Sequence, residues 1–470
     1  MTHHDQIIES ARANLDRFHI EELTKAGITP DNVDFVPVVR YPEMTWYPKV
    51  DVDEIFSHES ERAGIPDAAY VHVPFCASSC HYCHWIKLID PPQDVVERYI
   101  DAVSKEMEIA VKRLSRERLP ISTVLFGGGT PTFLTARQWE RLLGSFTKYF
   151  DLGKCRQFSV EAEPSSLLGQ VGHDRLKVLK EFGVDRISLG VQCFDDRLLA
   201  IMGRTHTSAD VFQAIDNIKK AGFESVSLDL IYGYPDQSIA DWINSMQAAI
   251  QSGADAWQLY RLRILQHGLT QGVIIKQYKK HPESFPDPSK IRLMKMLGNL
   301  ISEDNGFAQH FTRIFATDNK HTTHFMWDYC CHLTNVVGLG PSSWSNYHRT
   351  FTVNAQGFED YLRLVDEGKM PVERGLFRDE ELEARRSLIT PLKNDRVYKK
   401  RYEKRLGFGL NERFMPDLER LKSFGLLSED ENSFFLTERG RFFADETVTQ
   451  LFQKKYLPSP NFPIHDLMPD

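Results

Sequence analysis

From Tyr70 to about residue 262 the chain repeats one alternation. A short, almost wholly apolar run gives way to a turn, and then to a longer stretch whose apolar residues recur at steps of three and four. The apolar runs fall at about 68–73, 122–126, 157–162, 185–191, 225–231 and 256–262. Runs of that length bounded by turn residues read as strands covered on both faces. The intervening stretches, at about 93–115, 135–149, 173–182, 208–221 and 239–252, read as amphipathic helices. In the first, Val96, Tyr99, Val103, Met107 and Ala110 form one stripe. Six strands alternating with helices predict an α/β fold with parallel pairing and right-handed crossovers. A partial (β/α)6 barrel of the TIM type satisfies that pattern, and its chemistry belongs on loops at the carboxyl ends of the strands.

The flanks follow other patterns. Residues 1–66 read as a helix and an extended arm, Phe35-Val-Pro-Val-Val-Arg40-Tyr-Pro-Glu-Met-Thr-Trp46-Tyr-Pro48. Its prolines block helix and inner strand. Its aromatics need cover, so the arm is expected to wrap the main domain, or to reach into a substrate mouth. Residues 67–370 hold the barrel and an extension with a turn at Gly338-Leu-Gly340-Pro341-Ser342. Residues 371–455 change to short charged helices around a hairpin, Leu427 to Leu436, a winged-helix-like α+β domain expected to pack or act as a lid. Residues 456–470 are a proline-rich tail expected to be extended.

Composition narrows the function classes. Among 470 residues the formal net charge is −8, which gives no general electrostatic case for nucleic acid or an anionic membrane. No run approaches the ~18 apolar residues of a membrane span, and the polar start MTHHDQIIESARANL has no apolar signal core. A cytoplasmic, reducing location is expected. Of seven cysteines, Cys155, Cys193, Cys330 and Cys331 are scattered; the adjacent last two read as buried thiols rather than a redox pair.

The other three sit in one run directly after the first strand, Cys76-Ala-Ser-Ser-Cys80-His-Tyr-Cys83. The C-x3-C-x2-C spacing can bring three thiolates to three irons of a 4Fe–4S cluster, leaving the fourth iron open. Zinc completed by His81 or His84, and three unrelated core thiols, remain alternatives. After the second strand come Gly127-Gly128-Gly129-Thr130, whose backbone can approach a ligand closely. Glu161 and Glu163 end the third strand on one face. Gln192 and Arg204 follow the fourth, and Asp229 lies in the apolar fifth, where an unpaired charge is costly. Polar residues gathered at the carboxyl ends of strands describe a site.

Taken together these motifs resemble the radical S-adenosylmethionine (SAM) superfamily, and more closely its oxygen-independent coproporphyrinogen III oxidase-like (HemN-like) branch. They are Tyr70-Val-His72-Val-Pro-Phe75-Cys76-x3-Cys80-x-Tyr82-Cys83, Gly127-Gly-Gly-Thr-Pro131, Val160-Glu-Ala-Glu-Pro164, Arg186-Ile-Ser-Leu-Gly-Val-Gln192, Gly203-Arg-Thr-His206, Asp229-Leu-Ile-Tyr-Gly233 and Gly338-Leu-Gly340. The resemblance implies a radical SAM barrel, a 4Fe–4S cluster on Cys76, Cys80 and Cys83, and SAM, expected as two molecules. It places Gly128, Gly129, Thr130, Tyr70, Tyr82, Glu161, Gln192, Arg204 and Asp229 at the cofactors. Tyr70 and Trp344 become the candidate catalytic residues, with a small-molecule substrate and an electron donor such as flavodoxin or ferredoxin as partners.

Two departures bear on the reaction. The decarboxylases of the branch carry a further cysteine where this chain has Trp85, and Trp344 is expected to narrow the pocket against a macrocycle. Cys-His-Tyr-Cys-x-Trp is similar to the class C methyltransferases and cyclopropanases, so methyl or methylene transfer to an sp2 carbon of a natural product is the expected reaction. Porphyrin or haem chemistry, decarboxylation or ring opening, is the alternative, and haem-chaperone activity, with His72, His81, His84, His206, His321, His324 and His332 as possible ligands, a third.

Overall fold

The computed structural model describes residues 3–29, 40–57, 66–263 and 272–457. Residues 35–39 of the predicted arm and 458–470 of the predicted tail lie outside them.

Six parallel strands stand where the apolar runs predict: β1 Ala68–Val73, β2 Thr123–Gly128, β3 Gln157–Ala162, β4 Arg186–Gln192, β5 Ser225–Tyr232 and β6 Ala256–Arg261. Helices α1 His3–Asp16, α2 Gln93–Arg113, α3 Ala136–Tyr149, α4 Gly169–Glu181, α5 Ser208–Lys220 and α6 Ile239–Gln251 follow in chain order, and all but the first cross between barrel strands. Thr135 with Gln138, Thr207 with Asp210 and Ser238 with Asp241 close capping boxes at the starts of α3, α5 and α6, satisfying backbone donors that a helix start otherwise leaves open.

The sheet extends further than the periodicity predicts. It has 12 strands, in the order β7-β8-β6-β5-β4-β3-β2-β1-β9-β10-β11-β12. The additions are β7 Ala308–His310, β8 Ile314–Ala316, β9 Val336–Leu339, β10 Trp344–Tyr347, β11 Thr350–Asn354 and β12 Val372–Phe377. β9 pairs in parallel with β1, setting Tyr70 against Gly338. Beyond it β10, β11 and β12 run antiparallel, so the sheet continues past residue 370. These short strands carry no period-two signature of their own; their place comes from docking on β1.

The barrel strands are apolar on one face only. Val160, Ile187, Leu189, Leu228, Leu230 and Trp257 are buried, and they alternate with Glu161, Arg186, Ser188, Asp229 and Gln258. The register sets Glu161 beside Ser188 and Ser188 beside Ser227 at one level, and Gly190 beside Asp229 and Asp229 beside Gln258 at the next, so that the polar positions share one face. The apolar positions, which join the main core cluster with the helices, hold the layers together. The polar row faces the other way.

Residues 380–457 form the C-terminal unit. Its sheet has β13 Arg396–Tyr398, β14 Leu427–Glu429 and β15 Ser433–Leu436, in the order β13-β15-β14. The described part of the arm lies against this unit and the main sheet: the Tyr41 ring meets Phe452 at 4.6 Å, Tyr47 meets Phe351 at 5.0 Å, and Arg374 Nη1 donates to the Tyr47 carbonyl at 3.0 Å. No helix among the described residues is long and apolar enough to cross a membrane.

One buried carboxylate joins α2 to the late strands. Glu106 accepts from the Gly340 N–H at 2.7 Å, from Asn354 Nδ2 at 2.6 Å, and from the hydroxyl of Tyr361, in α7 Phe358–Asp366, at 2.7 Å. Burial pushes its carboxyl up from 4.5 to about 7, against these three donors. Replacing Glu106 by Ala takes the acceptor from the Gly340 N–H and the Tyr361 hydroxyl, while Asn354 Nδ2 keeps the Gly340 carbonyl and Ser343 Oγ, and should destabilise the fold by about 3 kcal/mol in urea unfolding. Because the folded carboxyl holds its proton more tightly than the unfolded one, its contribution to stability falls as pH rises from 4.5 to about 7. Glu106→Gln should remove that component from the pH dependence of the unfolding midpoint.

Candidate active site at the carboxyl end of the barrel

β1 leads through Pro74 into Phe75–Cys76, which pairs in parallel with Leu88–Ile89 and closes the cysteine loop at its base. Cys76 is buried in that base; Cys80 and Cys83 lie further out, half-buried. The loop is tied to the turn after Ile201: the His81 N–H donates to the Met202 carbonyl at 3.0 Å and the His81 Nδ1–H to the Ile201 carbonyl at 2.8 Å. His81 therefore anchors the loop through one ring nitrogen. Among the described residues no three His, Cys, Asp or Glu side chains are gathered closely enough to hold a metal ion.

The glycine run fits under that loop. The Gly129 N–H donates to the Val73 carbonyl at 2.8 Å, the Thr130 N–H to the Phe75 carbonyl at 2.7 Å, and Thr130 Oγ1 to Cys76 Sγ at 3.5 Å. A Cβ on Gly129 would lie 2.6 Å from the Phe75 oxygen and 3.1 Å from Cys76 Sγ, so only glycine lets the two segments approach this closely. Gly128 has φ +115° and faces the His72 ring, which a Cβ would meet at 2.7 Å. Burial pushes the Cys76 thiol up to about 11, opposed by the hydrogen bond from Thr130.

Arg204 supplies positive charge on the other side of the loop. Its Nη1 donates to Cys80 Sγ at 3.1 Å and its Nη2 to the Gly190 carbonyl at 2.7 Å, with Glu163 Oε1 3.6 Å away. Glu163 is in turn 2.9 Å from His206 Nδ1, and His206 Nε2–H donates to the Val191 carbonyl at 3.2 Å. Although burial opposes it, the hydrogen bond from His206 and the charge of Arg204 hold the Glu163 carboxyl below its ordinary value. The chain Cys80–Arg204–Glu163–His206 links the loop to β3 and β4. Gln192, at a bulge in β4 with φ 69°, folds back over Gly190 beside Arg204. Tyr82 meets Tyr234 edge to face at 6.3 Å and lies in the field of Arg204.

Inside the barrel, Glu161 Oε2 accepts from the Gly128 N–H at 3.1 Å. Burial, reinforced by Asp229, pushes the Glu161 carboxyl up to about 7. Asp229 is raised to about 6 by burial, restrained by Arg186 and Arg313. Tyr70 shares a 2.9 Å hydrogen bond with His72 Nδ1, and Tyr99 donates to the His72 carbonyl. Trp344 stands in an aromatic wall, stacked on Tyr70 at 6.0 Å and on Phe351 at 5.6 Å, with the Arg40 guanidinium 4.9 Å over its ring.

The structure thus brings Cys76, Gly128, Gly129, Thr130 and Glu161 to one side of the loop and Cys80, Tyr82, Gln192 and Arg204 to the other. The relay through Glu163 and His206, and the guanidinium of Arg313, escaped sequence reasoning. Arg313 does interrupt the apolar run Phe311-Thr-Arg313-Ile-Phe315, a signal of the same kind as Asp229.

Comparison with known proteins agrees with this geometry. Residues 70–249 match the model of the radical SAM superfamily. The heme chaperone HemW of Bacillus subtilis is 29% identical, covering 81% of this chain and 97% of that protein. The oxygen-independent coproporphyrinogen III oxidase of Pseudomonas aeruginosa is 27% identical, covering 86% and 88%. The solved structure of coproporphyrinogen III oxidase (HemN) from Escherichia coli, a radical SAM enzyme, superposes with a TM-score of 0.76 over 88% of this chain and 96% of that one, at 22% identity, a likeness of fold. Residues 70–249 are thereby assigned to the radical SAM superfamily. The relatives matched over most of the chain are HemN-like proteins, and the fold is that of HemN. Membership implies a 4Fe–4S cluster and SAM as cofactors, and the thiol set, the glycine cradle against Cys76 and the guanidinium on Cys80 fit them.

Gly129→Ala should displace the Phe75–Cys76 segment. Iron per chain after anaerobic reconstitution should fall to less than about half of wild type while far-UV circular dichroism stays unchanged.

Proposed function

We propose that this protein performs radical SAM chemistry on a porphyrin or haem, in place of the methyl or methylene transfer expected from the Cys-His-Tyr-Cys-x-Trp run. The observation that carries the reading is that two relatives matched over more than four-fifths of this chain are, by name, a coproporphyrinogen oxidase and a heme chaperone.

In this proposal Cys76, Cys80 and Cys83 hold the cluster. When bound and reduced, the cluster supplies the electron that splits SAM to methionine and a 5′-deoxyadenosyl radical able to abstract hydrogen. Gly128, Gly129 and Thr130 hold the methionine end of SAM through backbone groups. Arg204 keeps positive charge beside the Cys80 sulfur, and Glu163 with His206 fixes its orientation. Glu161, Gln192 and Asp229 serve as polar contacts to SAM, with Tyr70 and Tyr82 packed beside it. The Tyr70–Trp344–Phe351 wall offers a flat apolar face and excludes water from the reacting end. The second SAM belongs to this proposal too, and equilibrium dialysis should count two bound per chain. An electron donor such as flavodoxin or ferredoxin completes the system.

The haem-chaperone reading is favoured by Trp85, which stands exposed where the decarboxylases carry a further cysteine. Anaerobic incubation with SAM, reductant, coproporphyrinogen III and haem, read by mass spectrometry, separates the outcomes. A modified tetrapyrrole with 5′-deoxyadenosine is expected. Haem binding without SAM cleavage would assign a chaperone, and S-adenosylhomocysteine formed with 5′-deoxyadenosine would return the reading to methyl transfer.

Cys80→Ala should abolish both the cluster absorbance and SAM cleavage, whereas retained cleavage would refute the ligand assignment.

A further inference from the structure

A cavity opens inside the barrel next to the SAM-side residues and runs to the C-terminal unit. Leu125 and Glu161 bound it near the glycine cradle, Arg186 and Tyr260 line its middle, and Arg313 and Lys393 close its far side. Its polarity is unusual for a protein interior. Arg186 is 2% exposed, and its Nε and Nη2 have no hydrogen-bond partner. The Arg313 guanidinium lies 4.7 Å over the Tyr260 ring. Lys393, at the end of the helix Glu380–Asn394, pairs with Asp445 at 2.6 Å.

A buried guanidinium with donors unused is costly unless an anion meets it. The acids in reach do not fully meet it. Asp229 Oδ1 is itself buried without a hydrogen-bond partner, and Glu161 is turned to the Gly128 N–H. Both carboxyls are raised by burial, which lowers the negative charge they bring. The planar fork of an arginine matches a carboxylate in two parallel hydrogen bonds.

We infer that this cavity is the receptor for a carboxylate of the substrate: Arg186 and Arg313 grip the acid group, and Lys393 brings the C-terminal unit to the rim of the site. The inference rests on the tetrapyrrole reading for the identity of the acid, and it names the substrate class as one whose carboxylates are recognised rather than merely tolerated. Arg313 is the specificity-determining residue to vary, because it sits ahead of β8 rather than within a central strand.

The test uses the full-length, cluster-loaded protein with two porphyrins that differ only in charge: coproporphyrin III, and the same ring with its carboxylates converted to neutral amides. Binding is followed by porphyrin fluorescence. The acid should bind at least roughly tenfold more tightly than the amide. Arg313→Gln should weaken the acid by about the same factor and leave the amide unchanged, while Arg313→Lys recovers part of the loss. Equal binding of acid and amide by wild type, or an unchanged acid affinity in Arg313→Gln, overturns the inference. If neither porphyrin binds, the tetrapyrrole reading fails and the receptor is judged with citrate. Thermal protection of wild type that disappears in Arg313→Gln supports it, and absence of protection overturns it.

Discussion

The demand that governs this structure is to keep charged groups inside a barrel without water to solvate them. Glu161, Arg186 and Asp229 occupy inward positions on three neighbouring strands, at successive levels of one face. Each would be expensive alone; together, and with Arg313, they moderate one another's fields. The outward faces of the same strands supply the cohesion, since Val160, Leu189, Leu228 and Trp257 pack against the helices. One layer of side chains holds the barrel together, and the alternate layer equips it.

The cysteine loop meets the barrel under an equally strict steric demand. Gly129 passes so close to Phe75 and Cys76 that any side chain would collide, while Arg204 reaches Cys80 from the opposite edge. The loop is clamped between a backbone that cannot thicken and a cation oriented by Glu163 and His206. Held at both edges, the loop has less conformational freedom left to lose when a ligand binds it.

Much of this was legible in the chain. The β1–β6 alternation, the hairpin Leu427 to Leu436 and the polar residues at strand ends follow from local pattern, because burial on both faces and amphipathic stripes leave direct marks on sequence. The late strands did not, since β9 gains its identity only by docking on β1. The sequence singles out Trp344 as a residue that narrows the pocket; its stacking between Tyr70 and Phe351 comes from the structure, since no spacing rule reports which rings will lie face to face. Arg186 was visible only as part of a motif, and its unused donors emerged once the interior was assembled. The reaction drew least from the sequence. One position, Trp85, pointed away from the oxidases, while similarity over most of the chain points toward tetrapyrrole-handling proteins.

β1 lies in the middle of the sheet, yet its two neighbours are made at very different times. β2 follows some fifty residues later, whereas β9, and the Gly340 N–H that caps Glu106, come more than two hundred and fifty residues after β1 begins. Throughout that stretch of synthesis a nascent chain carries a bare strand edge directly beside the cysteine loop, open to pairing with any other extended chain. Expression of this protein should therefore be most vulnerable to aggregation not where the cofactor chemistry is but in the interval before the ribosome delivers the last third of the sequence.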